Sequence, residues 1–220
     1  MKIFLDTADV ELIKNHYETG IIDGVTTNPS LILKSHKNPE DVYQELVDVG
    51  IDDISMEVVD STVGGMLAEA IRLVDKFGYA VTIKVPCTRE GLLVCRHLAD
   101  KGVRVNVTLI FSPSQAILAA KAGATYVSPF VGRLDDNSIT GLDLIKSIYD
   151  IYKIQGVDRT KILSASIRDV KSVSESFANG ADIVTMPPKV LDKMYNHVLT
   201  DKGLLQFDQD WSEVQHMIGG

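Results

Sequence analysis

The sequence predicts an α/β protein, a closed (β/α)8 barrel, on three observations. Short runs rich in β-branched and aromatic residues alternate with longer stretches of helical period from end to end. There are eight such runs, and no G-x-G-x-x-G follows the first. Regular alternation implies a parallel sheet with crossover helices. Eight units favour closure over an open doubly wound sheet. The missing glycine fingerprint removes the main positive signal for dinucleotide binding.

The strands are read over Lys2–Asp6, Gly24–Thr27, Ile54–Val59, Ala80–Val85, Arg104–Ile110, Tyr126–Phe130, Lys161–Ser166 and Ile183–Met186. Each run ends near Asp, Pro, Ser or Gly, the residues that punctuate strands. Between them, Met66, Leu67, Ala70, Ile71, Val74 and Phe77 recur at three- and four-residue steps, as one buried helix stripe requires. Leu142, Ile145, Ile148, Tyr149 and Tyr152 repeat that pattern. Thr88 with Glu90, and Ser112-Pro113, read as helix starts. Ala122-Gly123 and Gly180-Ala181 read as helix stops before strands. A helix-like tail, Asp208–Ile218, follows the eighth unit and is an addition to the barrel.

Composition narrows the class further. The chain has 220 residues, 45% hydrophobic and 24% charged, which excludes collagen-like, low-complexity and disordered chains. Eight units leave roughly 27 residues each, below the typical barrel of about 250, so residues 1–220 read as one domain without an inserted lid. A net charge of −8 argues against non-specific binding to nucleic acid or to an anionic membrane. Cys87 and Cys95 are too few for a disulfide framework or a zinc site and read as reduced thiols. The apolar run Ile3-Phe4-Leu5 is broken by Asp6, too short for a signal peptide, and no segment reaches the about 20 apolar residues of a membrane span. A soluble, cytoplasmic protein is expected.

Residues two apart share one face of a strand. The polar strand residues fall into such sets: Thr26 with Asn28, Ser55 with Glu57, Thr82 with Lys84, Asn106 with Thr108, and Ser164 with Ser166. Their neighbours Val25, Ile83, Val85, Val107 and Leu109 are apolar and suit the layer against the helices. The polar face therefore points inward. Seven strand ends offer a polar group: Asp6, Asn28, Glu57, Lys84, Thr108, Ser128 and Ser166. Two readings fit, a hydrogen-bond network that satisfies itself and a site at the C-terminal mouth, where barrels carry their chemistry.

Lys84, within Val81-Thr82-Ile83-Lys84-Val85-Pro86, is the most informative residue. Apolar surroundings make an ammonium costly, and the neutral amine is the form that attacks a carbonyl to make an imine. A purely structural ion pair with Asp6 or Glu57 is the competing reading. Arg133 and Arg168 follow the sixth and seventh strands; with Ser166 they suit a phosphate group, or they are solvated surface arginines.

These residues are joined by longer motifs: Phe4-Leu5-Asp6-Thr7-Ala8, Gly24-Val25-Thr26-Thr27-Asn28-Pro29-Ser30, Ile83-Lys84-Val85-Pro86, Val105-Asn106-Val107-Thr108, Ser128-Pro129-Phe130-Val131-Gly132-Arg133 and Ala165-Ser166-Ile167-Arg168. On them the whole chain resembles the transaldolases, in the short subfamily that also contains the fructose-6-phosphate aldolases. The resemblance implies that Lys84 forms a Schiff base with the C2 carbonyl of a ketose phosphate. It casts Asp6 as the acid/base at the C4 hydroxyl and Glu57 as acting through a water held by Thr108. Thr26, Asn28, Asn106, Ser128 and Phe130 become binding positions around the dihydroxyacetone unit. Arg133, Ser166 and Arg168 become the phosphate set.

No metal or organic cofactor is implied, since the protonated imine is itself the electron sink. In this subfamily the transaldolase form carries Glu and Phe where Glu57 and Phe130 stand, and the aldolase form carries Gln and Tyr. The pair points to transaldolase and the pentose shunt, with release of free dihydroxyacetone as the alternative. A phosphosugar isomerase or epimerase, or a non-catalytic sugar-phosphate binder, are readings from other classes. The 208–218 tail, spare to a minimal barrel and carrying the single tryptophan Trp211, is expected to pack on a neighbouring subunit, and the resemblance implies a homo-oligomer, a pentamer or decamer.

Overall fold

A computed structural model describes residues 1–219. Its first quarter runs β1 (Lys2–Asp6), α1 (Val10–Tyr17), β2 (Gly24–Thr26), α2 (Pro29–Ser35), α3 (Pro39–Val49) and β3 (Ile54–Glu57). Then follow α4 (Val63–Phe77), β4 (Val81–Pro86), α5 (Arg89–Ala99), β5 (Arg104–Ile110), α6 (Pro113–Lys121) and β6 (Tyr126–Pro129). The chain finishes with α7 (Val131–Asp135), α8 (Gly141–Gln155), β7 (Lys161–Ser164), α9 (Val170–Ala178), β8 (Ile183–Met186), α10 (Pro188–Met194) and α11 (Val198–Ile218). The eight strands are parallel, pair in sequence order, and close between β8 and β1. This is the (β/α)8, or TIM-barrel, fold.

The helix signals act where the sequence puts them. Thr88 and Ser112 cap α5 and α6 with their hydroxyls. Gly123 and Gly180 take φ of +89° and +98° after helices, as left-handed stops do. One stripe is re-sorted: α4 buries Met66, Ala70, Leu73 and Phe77, while Ile71 is exposed. Several strands are shorter than their apolar runs, and β7 ends at Ser164 rather than Ser166. The tail is longer than expected. α11 starts at Val198, ten residues before Asp208, and buries none of its side chains.

The inner face is layered. At the floor Asp53, itself buried, accepts hydrogen bonds from Thr82 Oγ1 at 2.7 Å and Tyr126 Oη at 2.6 Å, and pairs with Arg104 at 3.2 Å. Above it Phe4, Tyr126, Leu163, Ala165 and Ile183 form a small apolar cluster of their own. Gly24 makes room for it, because a Cβ there would stand 2.7 Å from the Phe4 ring. Residues of the opposite parity, Leu5, Val25, Ile83, Val107 and Val184, join the large core against the helices.

Candidate active site

The C-terminal mouth of the barrel holds a cavity of about 110 Å³, lined by Asp6, Thr26, Asn28, Lys84, Asn106, Thr108, Ser128, Phe130, Arg133 and Ser166 among others. Ten of the twelve residues singled out from the sequence thus share one cavity wall. Parallel strands carry them there, since every strand delivers its last inward side chain to the same rim.

Lys84 is buried on β4. Its Nζ lies 3.0 Å from Glu57 Oε2 and donates to the Thr27 carbonyl at 2.9 Å. The strand register sets Glu57 directly beside Lys84. Glu57 itself borders a second, wider groove of about 690 Å³ with Ile32, Tyr43 and Leu73, so the ion pair bridges the two spaces. Asp6 accepts from Thr26 Oγ1 at 2.8 Å. That leaves Thr185 as the donor in its 2.6 Å contact with Thr26. Burial pushes the Asp6 carboxyl above the ordinary carboxylate value, against the Lys84 charge and the Thr26 hydrogen bond.

Asn106 is fully buried and partnered at both ends of its amide, with one N–H and one lone pair left over: Nδ2 donates to Ser55 Oγ at 3.1 Å, and Oδ1 accepts from Ser128 Oγ at 2.6 Å. Asn28 caps α2, its Oδ1 accepting from the Leu31 N–H at 3.0 Å, so its amide nitrogen is the group that remains for a ligand. Thr108 contrasts with all of these. Its Oγ1 is buried and meets no hydrogen-bond partner in the protein. Buried hydroxyls without a partner are rare and mark a position that a ligand or water completes.

The cationic end is less symmetrical than the sequence implies. Arg133 lines the cavity and lies over the Phe130 ring, 4.9 Å from its centroid. Arg168 is not on the wall of this cavity. It is exposed and pairs with Asp136 at 2.6 Å. Gly132, next to Arg133 in the chain, packs against Arg168; a Cβ there would meet the Ser166 carbonyl oxygen at 2.2 Å and the Arg168 side chain at 2.8 Å.

Strand parity fails on β7. Ser164 points outward, its Oγ 2.9 Å from Ser176 Oγ on α9, while Leu163 and Ala165 face the cavity. Ser166 regains the inside because the strand has ended and its φ is +60°. Sequence period cannot report a local left-handed residue. Thr185, Thr27, Tyr43 and Phe111 are further residues that sequence reasoning missed. Thr185 is the polar group of the eighth strand. Thr27 is fully buried beside Tyr43 and holds Lys84 by its carbonyl, for which no side-chain signal exists. Among the described residues no three His, Cys, Asp or Glu side chains converge as a metal site would need, and no helix is long and apolar enough to cross a membrane.

Residues 3–218 match the transaldolase/fructose-6-phosphate aldolase family. The chain is 50% identical over 215 residues to a "probable transaldolase" of Nitrosopumilus maritimus, covering 98% of this chain and 96% of that protein. It is 50% identical over 221 residues to one of Paracoccus denitrificans, covering 99% and 100%. To one of Geobacillus thermodenitrificans it is 47% identical over 215 residues, covering 98% and 100%.

Proposed function

The chain belongs to the transaldolase/fructose-6-phosphate aldolase family, and from that premise we propose that it is a transaldolase. It moves a dihydroxyacetone unit from sedoheptulose 7-phosphate or fructose 6-phosphate to glyceraldehyde 3-phosphate or erythrose 4-phosphate, in the pentose phosphate pathway of the cytoplasm. The observation that carries this reading is a buried Lys84 paired with Glu57 at 3.0 Å, at the rim of the cavity that Asp6 also lines.

The neutral Lys84 amine attacks the C2 carbonyl, and the carbinolamine loses its oxygen as water with a proton supplied by way of Glu57. A water between Glu57 and Thr108 Oγ1 carries that proton; the unpartnered hydroxyl of Thr108 supports the role. In the protonated imine, Asp6 takes the C4 hydroxyl proton, the C3–C4 bond breaks, and its electron pair becomes the enamine. The departing aldose is replaced by the acceptor aldehyde. The enamine C3 attacks it, Asp6 returns the proton to the new alkoxide, and hydrolysis frees Lys84. The raised proton affinity of Asp6, set by its burial, suits a group that must both take and give a proton.

Thr26 orients Asp6, and Asn28, Asn106 and Ser128 bind the hydroxyls of the three-carbon unit. Arg133 and Ser166 hold the phosphate, joined by Arg168 once it leaves Asp136. Phe130 keeps the wall beside the imine apolar. Glu57 with Phe130, rather than Gln with Tyr, favours transfer over release of free dihydroxyacetone.

The same reading makes the enzyme a pentamer or decamer with α11 seated on a neighbour. Its support is that α11 exposes Leu204, Leu205, Phe207, Trp211 and Met217, more apolar surface than a lone surface helix carries.

Borohydride with fructose 6-phosphate is expected to fix the adduct on Lys84; no adduct there rejects the imine. Dihydroxyacetone forming from fructose 6-phosphate as fast without erythrose 4-phosphate as with it rejects transaldolase in favour of aldolase.

A further inference from the structure

The wall beside Thr108 is irregular. Val107 of β5 pairs with Val127 of β6, and the next aligned pair is Ile110 with Pro129. Thr108 and Leu109 therefore stand opposite Ser128 alone, a bulge of one residue. One class of bulge carries a left-handed residue, usually glycine. Here it is Leu109, at φ +60°. A branched, bulky side chain in that region is strained, and strain of this sort persists where the surroundings hold it for a purpose.

The bulge resets which side chains face the site. Up to Thr108 the even residues Asn106 and Thr108 face inward. Regular alternation would continue with Ile110 over the cavity mouth and send Phe111 out to the helices. Instead Ile110 is fully buried in the outer core with Val105 and Val107. Phe111 returns to meet Phe130, ring centroids 5.8 Å apart, with its N–H held by Gln115 Oε1 at 2.8 Å. Phe130 is in turn the ring beneath Arg133. One left-handed residue thus stands between two parts of the wall: the unpartnered Thr108 hydroxyl directly before it, and, two residues after it, the aromatic ring that meets Phe130 under the arginine.

We propose that Leu109 and Phe111 are positioning residues: the left-handed turn at Leu109 holds Thr108 Oγ1 in the cavity and seats Phe111 behind Phe130 and Arg133. The Thr108 half rests on the transaldolase reading given above; the Phe111 half rests on phosphate binding by Arg133.

The test is a kinetic cycle of Thr108→Ala, Leu109→Val and the double variant, with Leu109→Gly alongside. A β-branched Val resists φ +60°, so Leu109→Val is expected to lower kcat by about 10- to 100-fold, the cost of a displaced catalytic group. In the Thr108→Ala background the same change is expected to cost no more than about threefold, because contacts acting through one group do not add. Full multiplication of the two effects overturns the proposal. Leu109→Gly accepts the conformation freely and is expected to keep kcat and melt higher; a loss equal to that of Val overturns it.

Should Leu109→Val fail to fold, Phe111→Leu decides. The KM for glyceraldehyde 3-phosphate is expected to rise about tenfold, one lost charge-assisted contact, with the KM for unphosphorylated glyceraldehyde unchanged. Equal rises in both overturn it. Wild-type kcat in Thr108→Ala alone would remove the role given to Thr108, and the Phe111 comparison, which does not pass through Thr108, then judges the bulge.

Discussion

Lys84 Nζ sits 3.0 Å from Glu57 Oε2, and the lysine is 5% and the glutamate 18% exposed at the side chain. Parallel pairing of β3 with β4 makes the two residues register partners, so a carboxylate beside the amine is built into the sheet. Glu57→Gln keeps a hydrogen-bonding group there and removes the proton acceptor. The expected result is a kcat about 10²- to 10³-fold lower, in the range of lost acid–base catalysis, with borohydride trapping of fructose 6-phosphate slowed in step. Trapping at the wild-type rate would exclude Glu57 from imine formation. Glu57→Ala also leaves a buried ammonium without its partner, which costs about 3 kcal/mol of stability by denaturant titration.

Asp6 is destabilising when ionised. Burial raises its carboxyl above the usual value, so the folded state binds a proton more tightly than the unfolded chain. Its contribution to stability is full below about pH 3.9, the unfolded carboxylate value, and is lost as pH rises through the folded value. Asp6→Asn abolishes that loss. The variant is expected to unfold at a higher denaturant midpoint than wild type at neutral pH, with the gap closing below about pH 3.9. Its kcat is expected to fall by about 10³-fold. In the wild type the acid limb of kcat/KM should lie above the ordinary carboxylate range, because the proposed cleavage step uses the ionised form. Midpoints that differ equally at every pH would contradict this.

Phe130 faces the cavity with Arg133 over its ring. Phe130→Tyr adds a hydroxyl beside the intermediate without removing the aromatic support. Release of free dihydroxyacetone from fructose 6-phosphate is expected to rise about tenfold, the scale of one well-placed donor, while transfer to erythrose 4-phosphate falls. An unchanged ratio of release to transfer would separate Phe130 from the choice of reaction.

The barrel does not need α11 for its own core, since none of that helix's side chains is buried. Deleting residues 198–220 is expected to leave the far-UV signal of a folded barrel and to lower the number of subunits per particle seen by light scattering. A shortened chain that keeps the full-length subunit number would refute docking on a neighbour.

How far the sequence carried can be argued from single residues. Lys84 inside an apolar run, the inward parity of Thr26, Thr82 and Asn106, and the caps at Thr88 and Ser112 were all legible, because period and capping are local properties of the chain. Eight βα units determined a barrel for the same reason: each unit declares itself, and closure follows from their number. What the tertiary structure alone decided lies where backbone departs from period or where partners come from afar. Left-handed Leu109 lets Phe111 meet Phe130, left-handed Ser166 reaches the cavity wall, and Ser164 turns outward, beside Val184, to meet Ser176 of α9. Asp136 holds Arg168 away from the cavity, and a main-chain carbonyl at Thr27 holds Lys84. Dihedral strain and through-space partners leave no periodic trace, so most of the residues that line the cavity were readable from the chain, and their fine aim was set only by the closed barrel around them.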